Sequence, residues 1–221
     1  MFQDWNWLTF VHWRFPAQTI APFLPRGLQV DTFDGSAWVG MTPFYLSHLR
    51  PRLLPAVPWI SHFPETNVRT YVRDRNGYPG IWFFSLDAAR LTAVVGARVS
   101  YGLPYKWARM SVKRNGNRIH YRSSRIREDT AFVNATFETG PSIHRGDLES
   151  FLTERYRLYT ILAGRLAFAD VEHEPWPLQQ SHVIHLEQSL LRSAGLPAAT
   201  EEPLVLFSRG VRVAVGRPHW L

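Results

Sequence analysis

The feature that most constrains this chain is a pair of strand-like segments joined by an Asn-Gly turn. Residues 65–73 read ETNVRTYVR and alternate polar and apolar side chains with a period of two, which is typical of a strand with one polar and one apolar face. Asn76-Gly77 follows, a dipeptide that accepts the two positive φ angles of a tight hairpin. Residues 81–86 read IWFFSL and are almost wholly apolar, as expected of a strand that is buried on both faces or lines a closed barrel.

The same strand and turn signals recur along most of the 221 residues. The other predicted strand pairs are 28–33 with 37–46 around Asp34-Gly35, 107–113 with 118–123 around Asn115-Gly116, 156–160 with 166–171 around Gly164, and 204–207 with 211–215. Helical signals are few and short, and one of them predicts a helix over 88–98 capped by Asp87. Since no alternation of strands and helices appears, the sequence predicts a mainly β (α+β) fold: one domain over 1–221, built as a closed or nearly closed antiparallel β-barrel with a few short helices.

Composition excludes several classes of protein. Hydrophobic residues make up 45% of the chain, but no apolar stretch is long enough to span a bilayer, and the first residues lack the pattern of a signal peptide. There are no cysteines, which removes disulfides and thiolate metal sites. We therefore expect a cytoplasmic protein without a membrane span. The net charge of +7 comes from scattered arginines without a recognisable nucleic-acid-binding motif, so no specific nucleic-acid partner is predicted.

Metal and cofactor signals are also weak. His173-Glu174-Pro175 lacks the second histidine of a zinc-protease helix, and His182 and His185 would point to opposite faces of a strand. No glycine-rich phosphate loop is present. The sequence predicts neither a metal site nor a cofactor.

One lysine stands out because the chain contains only two, Lys106 and Lys113, beside many arginines. Lys113 adjoins a hairpin turn, where we expect its amine to be solvated. Lys106 lies between Tyr105 and Trp107, shortly after a proline. An amine can lose its proton and attack a carbonyl, whereas a guanidinium effectively cannot. Lys106 is therefore either an ordinary strand residue with its amine in water or a functional group in a pocket opposite a carboxylate such as Glu65.

Three segments of the chain resemble a known family. Residues 63–72 (FPETNVRTYV), 79–88 (PGIWFFSLDA) and 102–108 (GLPYKWA), together with WRFP at 13–16 and LPRGL at 24–28, are similar to the YqjF-like family. These are bacterial proteins without assigned function and distant relatives of acetoacetate decarboxylase. The resemblance covers most of the chain and implies an acetoacetate-decarboxylase-like barrel.

The resemblance also implies which active-site groups are retained. Acetoacetate decarboxylase has a lysine pair after a proline, in which the first lysine forms a Schiff base with the substrate and the second lowers its pKa. Tyr105 stands at the first of these positions and Lys106 at the second. Glu65 matches an active-site glutamate, and Asn6 falls at the position of an arginine. If this chain is an enzyme, the resemblance thus implies a lyase-like relative that lacks the Schiff-base lysine.

Two functions follow from these observations. The first is a small-molecule-binding barrel that binds or acts on a small carbonyl or carboxylate compound, with Glu65 and Lys106 as candidate catalytic residues. Its candidate ligand-binding residues are Glu65, Arg69, Trp82, Phe84, Tyr105 and Lys106. Period two also allows the opposite facing, with Val68 and Val72 inside. The alternative is a non-catalytic interaction or scaffold module that docks a partner through the apolar loop near Leu53-Leu54-Pro55. The sequence leaves a homo-oligomer open.

Overall fold

The computed structural model describes residues 1–51 and 55–221, and within these ranges the chain forms thirteen strands and four α-helices. The strands are β1 (Phe2–Pro16), β2 (Leu28–Val30), β3 (Ser36–Arg50), β4 (Phe63–Asp74), β5 (Pro79–Ala88), β6 (Tyr105–Asn115), β7 (Arg118–Arg125), β8 (Phe132–Ser142), β9 (Arg157–Leu162), β10 (Arg165–His173), β11 (Leu178–Gln188), β12 (Leu204–Val215) and β13 (His219–Trp220). The helices are α1 (Ala17–Ile20), α2 (Leu91–Tyr101), α3 (Asp147–Thr153) and α4 (Leu190–Ser193), and a 3-10 turn spans Ala21–Phe23.

The strands close into two rings that share a wall. In the described residues, one ring contains nine strands in the order β5-β6-β7-β8-β11-β12-β1-β3-β4. A second ring of seven strands runs β4-β5-β9-β10-β12-β1-β3, because β5 also pairs with β9 and β12 also pairs with β10. Strand β5 belongs to both rings and is buried or half-buried along nearly its whole length, which explains its nearly continuous apolar run. The prediction of a mainly β, closed barrel is confirmed.

The two rings have different interiors. The nine-strand ring is filled by the largest apolar cluster, to which β1 contributes Val11 and Trp13, β3 contributes Met41, and β8 contributes Phe137. The opposite face of the shared wall carries Leu8 and Phe10 of β1 and Phe44 of β3, which belong to a second apolar cluster. Alternating side chains along each shared strand therefore serve two interiors, as the period of two requires.

Three of the predicted hairpins are confirmed. Antiparallel pairing joins β4 to β5 across Asn76-Gly77, β6 to β7 across Asn115-Gly116, and β9 to β10 across Gly164. The predicted pair 204–207 with 211–215 is wrong, because these residues form the single strand β12. Gly210 sits within that strand at a φ of +133°, where a Cβ would lie 2.2 Å from the carbonyl oxygen of Trp5. The glycine thus lets β12 pass close to β1 instead of marking a turn.

The predicted hairpin around Asp34-Gly35 is also wrong as a strand pair. Only an isolated bridge joins Phe33 to Ser36, and β2 pairs instead with β4. Asp31 explains this change of partner, since its carboxylate accepts hydrogen bonds from Arg73 at 2.7 Å and from Arg155 at 2.6 Å. These ion pairs hold the end of β2 beside β4.

Asp87 does not cap a helix. It lies within β5, fully buried, and its carboxylate pairs with Nε of Arg125 at 2.9 Å. Helix α2 begins three residues later than predicted, at Leu91, with Arg90 at its N-cap. Strand β5 continues to Ala88 because its last residues pair with β4 on one side and, in parallel, with β6 on the other.

The apolar loop of the alternative function falls partly outside the described residues. Leu53 and Leu54 are not described, and the structure resumes at Pro55, which is exposed. In the part of the chain that the structure describes, none of the helices combines the length and apolarity that crossing a membrane requires.

Candidate functional site

The seven-strand ring encloses a cavity of about 440 Å³, within the usual range for small-molecule sites. All seven strands contribute to its lining, and helix α2 lies over one side with the small residues Ala93, Gly96 and Ala97. The lining is largely apolar. Its apolar members include Trp5, Phe44, Leu46, Phe63, Ile81, Phe83, Leu86, Leu103, Leu158, Val171 and Trp176.

A row of polar side chains on β4 interrupts this apolar lining. Glu65, Asn67 and Arg69 are each at most 6% exposed, and all three line the cavity. They share a face because successive side chains of a strand alternate. Val68, between them, packs instead into the core of the nine-strand ring. The polar-inward facing is the one that the structure adopts.

Glu65 is held as a neutral acid. Burial raises the pKa of its carboxyl to about 8; the hydrogen bond from Tyr105 opposes this rise, and the nearby charge of Asp87 adds to it. The Tyr105 hydroxyl donates to Oε2 of Glu65 at 2.9 Å. Burial, reinforced by Glu65, keeps the pKa of Tyr105 well above its usual value, so the phenol retains its proton. Near neutral pH this pair presents a carboxylic acid to the cavity, with Oε1 available to a ligand.

Arg69 is a buried cation without a counter-ion among the described residues. Its guanidinium lies 5.5 Å from the ring centroid of Phe10 and 6.0 Å from that of Tyr71, and its Nε has no hydrogen-bond partner within the described protein. The neighbouring Oδ1 of Asn67 is likewise buried without a partner. Cation–π contacts offset only part of the cost of removing a charge from water. The site therefore has an unsatisfied demand for an anion beside the neutral Glu65.

The absence of a side chain at Gly40 leaves space for Arg69 on the barrel wall. His12, Gly40 and Arg69 are register neighbours across β1, β3 and β4. A Cβ at Gly40 would lie 2.9 Å from Nε2 of His12 and 3.6 Å from Cγ of Arg69, so the missing side chain leaves room for both neighbours. Nε2 of His12 is 2.6 Å from the hydroxyl of Tyr71, which donates to the carbonyl of Leu152. Burial, followed by the charge of Arg69, lowers the pKa of His12 well below its usual value, so this support is neutral.

Arg155 and His173 also line the cavity, but each already has partners. Arg155 donates from Nη1 to Asp31 at 2.6 Å and from Nε to the carbonyl of Phe151 at 2.7 Å. Nδ1 of His173 lies 2.8 Å from the carbonyl of Glu174, and burial lowers the pKa of the imidazole. Sequence reasoning missed Arg155, which follows the short helix α3 without any periodic signal. It considered His173 only as a metal ligand.

Of the six predicted ligand-binding residues, the structure brings Glu65, Arg69 and Tyr105 together at the cavity. Trp82 and Phe84 lie outside it. Trp82 packs against the cluster of Leu28, Val72 and Tyr159, whereas Phe84 packs toward the core of the nine-strand ring. The reason is a β-bulge: Val68 pairs with Ser85 and Arg69 pairs with Phe83, so Phe84 is an extra residue. The expectation that Trp82 and Phe84 face the cavity is therefore wrong, and Ile81, Phe83 and Leu86 take their place.

Lys106 is also outside the cavity, and the expected placement beside Glu65 is wrong. Its side chain is exposed, because β6 begins at Tyr105 and the next side chain points the other way. Lys106 pairs in register with Asp87, whose side chain lies away from the cavity with Arg125. Asn6, matched by resemblance to an arginine, donates to Oγ of Ser47 at 2.9 Å and does not line the cavity. The cavity arginine comes from β4 instead.

Within residues 1–51 and 55–221, no group of three or more His, Cys, Asp or Glu side chains is arranged to hold a metal ion. Beside the already partnered Arg155 and His173, strand β4 and Tyr105 bring to this cavity one neutral carboxylic acid, one amide, one guanidinium without a counter-ion among the described residues, and one phenol.

Comparison with known proteins shows the family of this chain. A model of the DUF2071 family, described as an uncharacterized conserved protein, matches residues 2–212. The chain belongs to this family. It is 38% identical over 212 residues to the uncharacterized protein YqjF of Bacillus subtilis (strain 168). The matched residues make up 95% of this chain and 87% of that protein. The YqjF-like resemblance read from the three central segments is thereby confirmed.

The solved structures that this chain resembles include proteins named as enzymes. The enduracididine biosynthesis enzyme MppR with HEPES buffer bound superposes with a TM-score of 0.73 at 15% identity, covering 100% of this chain and 87% of that one. MppR complexed with pyruvate superposes with a TM-score of 0.71 at 14% identity, covering 99% of this chain and 89% of that one. Acetoacetate decarboxylase from Legionella pneumophila superposes with a TM-score of 0.68 at 13% identity, covering 99% of this chain and 86% of that one. At these identities the likeness shows the fold, and it confirms the predicted acetoacetate-decarboxylase-like architecture.

Proposed function

We propose that this family member binds a small, largely apolar organic acid in the cavity of the seven-strand ring. Arg69 is the counter-ion of the ligand's carboxylate, and Glu65 donates a hydrogen bond to a carbonyl or hydroxyl oxygen of the same ligand. The observation that carries the proposal is the buried guanidinium of Arg69, which has no ion pair among the described residues. The pyruvate bound to MppR, a protein of the same fold, is a 2-oxo acid and supports this ligand class.

The energetic argument concerns charge. A buried cation costs several kcal/mol unless it is paired, and the described part of the cavity offers Arg69 no carboxylate in its charged form near neutral pH, since Glu65 keeps its proton. A ligand carboxylate supplies that charge in a geometry that a guanidinium can bind through two hydrogen bonds. The apolar lining then favours a hydrocarbon or aromatic remainder over a second charged group.

Glu65 also supports a chemical step. A carboxyl whose pKa is about 8 can both give and take a proton near neutral pH, as general acid–base catalysis requires. In its ionised form, held by Tyr105 beside a bound 2-oxo acid, the carboxylate is suited to take a proton from the carbon next to the carbonyl and then return it, through an enolate whose negative charge Arg69 helps to balance. Imine formation through lysine has no support here, because both lysines of the chain are exposed.

The binding proposal is tested by calorimetry with matched ligands. A set of apolar monocarboxylic acids and 2-oxo acids is compared with the methyl ester of each acid, which keeps the shape and removes the charge. In the unsubstituted protein the acid binds about 10–100-fold more tightly than its ester, the range expected for a charged hydrogen-bonded pair. In Arg69→Gln this difference disappears. Arg109→Gln, at an exposed position of β6, controls for the loss of one positive charge.

Equal affinity for acid and ester in the unsubstituted protein would contradict the proposal, and so would an acid preference that survives in Arg69→Gln. The catalytic part is tested separately by proton NMR in deuterated water. The protein should accelerate exchange of the protons next to the carbonyl of a bound 2-oxo acid, and Glu65→Gln should abolish that acceleration while acid binding persists. Binding without exchange would leave a binding protein and remove the role of Glu65 in proton transfer.

A further inference from the structure

The outer face of helix α2 and the segment beside it is apolar and exposed. On α2, Leu91, Val95 and Val99 follow one another at intervals of four residues and are 47%, 51% and 76% exposed. These three do not line the cavity, whereas Thr92, Gly96 and Ser100 on the adjacent face of the helix do. Helix α2 thus separates the cavity from a continuous external stripe of aliphatic side chains.

The segment 55–62 extends this stripe. Val57 is 51% exposed and Trp59 is 74% exposed. The segment joins α2 through Arg90, whose Nε donates to the carbonyl oxygen of Trp59 at 2.8 Å and whose guanidinium lies 4.8 Å from the ring centroid of Trp59. We call the exposed side chains of Val57, Trp59, Leu91, Val95 and Val99 the lid face. Contiguous exposed apolar side chains of this kind mark a surface that contacts a partner or a membrane.

The charges around the lid face favour an anionic lipid surface over a second copy of this chain as its occupant. Residues 55–62 and 88–101 contain no Asp or Glu, and their charged residues are Arg90 and Arg98. A second copy packed symmetrically on this face would bring two Arg90 and two Arg98 side chains into one interface without a carboxylate from either segment. An anionic lipid surface offers the opposite charge to the arginines and an apolar layer to Trp59 and the aliphatic stripe.

We propose that the lid face docks on an anionic lipid bilayer, with Trp59 and the α2 stripe inserted at the interface and Arg90 and Arg98 at the level of the phosphates. Such docking sets the wall of the cavity against the membrane, where an apolar acid is concentrated. The docking itself does not depend on the identity of the cavity's ligand.

The test is flotation of the purified protein with lipid vesicles. Vesicles of phosphatidylcholine mixed with phosphatidylglycerol should carry the protein upward at low salt. Pure phosphatidylcholine should carry less, and salt should weaken the binding because it screens the arginines. Val99→Asp should lower the partition coefficient by roughly tenfold, since it removes an inserted aliphatic group and adds a charge of the wrong sign. Ile184→Asp, on β11 and 51% exposed, is the matched control and should float as the unsubstituted protein does.

Thermal unfolding of both variants establishes that they are folded, as expected for substitutions at exposed positions. Three flotation results would overturn the proposal: no flotation with anionic vesicles at low salt, undiminished flotation of Val99→Asp, or an equal loss in Ile184→Asp. Sedimentation velocity without lipid is run in parallel. A dimer that Val99→Asp dissociates would assign the lid face to a second copy and would equally overturn docking on lipid.

Discussion

Glu65→Gln should flatten the pH dependence of stability of the ligand-free protein. The folded chain keeps the Glu65 proton up to about pH 8, whereas an unfolded chain loses it near the ordinary value of 4.5. Above pH 4.5 the unfolded state therefore binds fewer protons at this site, and stability falls as pH rises. The contribution is fully present below pH 4.5 and is lost by the time the pH passes about 8. Glutamine keeps the shape of the neutral acid, can accept the Tyr105 hydrogen bond, and does not titrate.

The magnitude follows from the proton balance. One proton of difference between the states changes the free energy of unfolding by about 1.4 kcal/mol per pH unit, so about 2–3 kcal/mol should separate the two proteins at pH 8 relative to pH 6. Asp87, whose pKa burial raises to about 6, titrates in both proteins and cancels in this comparison. His12 and His173 cancel in the same way.

Urea unfolding followed by tryptophan fluorescence at pH 6, 7 and 8 gives the required free energies. The excess stability of Glu65→Gln over the unsubstituted protein should grow by about 2–3 kcal/mol from pH 6 to pH 8. Glu201→Gln, at an exposed loop position, controls for the loss of one negative charge and should follow the unsubstituted protein throughout. If Glu65→Gln and the unsubstituted protein keep a constant difference from pH 6 to pH 8, Glu65 is already ionised and the interpretation of the site as a neutral acid is wrong.

Three further outcomes are expected. Gly40→Ala should lower the free energy of unfolding by about 1–3 kcal/mol because its methyl group would meet the imidazole of His12. Gly96→Ala, whose new Cβ has no neighbour within 4 Å, should raise the free energy of unfolding by about 0.5–1 kcal/mol through helix propensity. Urea unfolding measures both variants, and similar losses in the two would refute the packing argument. Asp87→Asn should cost about 3 kcal/mol by leaving a buried arginine without its closest carboxylate, and a loss under 1 kcal/mol in the same assay would show that the pair is not needed. Borohydride with 2-oxo acids should give no adduct on Lys106, and an adduct in the intact mass that Lys106→Arg removes would bring imine chemistry back.

The sequence was sufficient for the parts of the fold that short-range signals control. Asn76-Gly77 and Asn115-Gly116 formed the predicted hairpins because each dipeptide supplies its turn geometry locally. The alternation in residues 65–73 placed Glu65 and Arg69 on one face correctly, and resemblance to the family indicated which face is inside. By contrast, the partner of β2 depends on ion pairs of Asp31 that involve distant parts of the chain. No local pattern carries that information.

The candidate site shows the same division. Tyr105 and Lys106 are neighbours in sequence, yet only one of them can face the cavity, and the position of β6 beside β5 decides which. Arg155 reaches the cavity from the end of α3, about ninety residues after Arg69. The parallel pairing of β5 with β6 belongs to the nine-strand ring and that of β5 with β9 to the seven-strand ring, and both depend on crossovers that a search for hairpins does not consider. The long-range strand topology therefore determined which side chains line the cavity, which the period of the sequence and its turn residues could not do.

The extra residue at Phe84 has an evolutionary consequence. Because the bulge absorbs one residue, deleting Phe84 would leave Arg69 paired with Phe83 and Val68 paired with Ser85, so Ile81, Phe83 and Leu86 would still face the cavity. A three-nucleotide deletion at this point of the gene would therefore remove one aromatic side chain from the core of the nine-strand ring and leave the cavity wall unchanged. Homologues that lack this residue should keep the ligand preference that the cavity residues set, so a one-residue gap at this position of an alignment does not indicate a change of specificity.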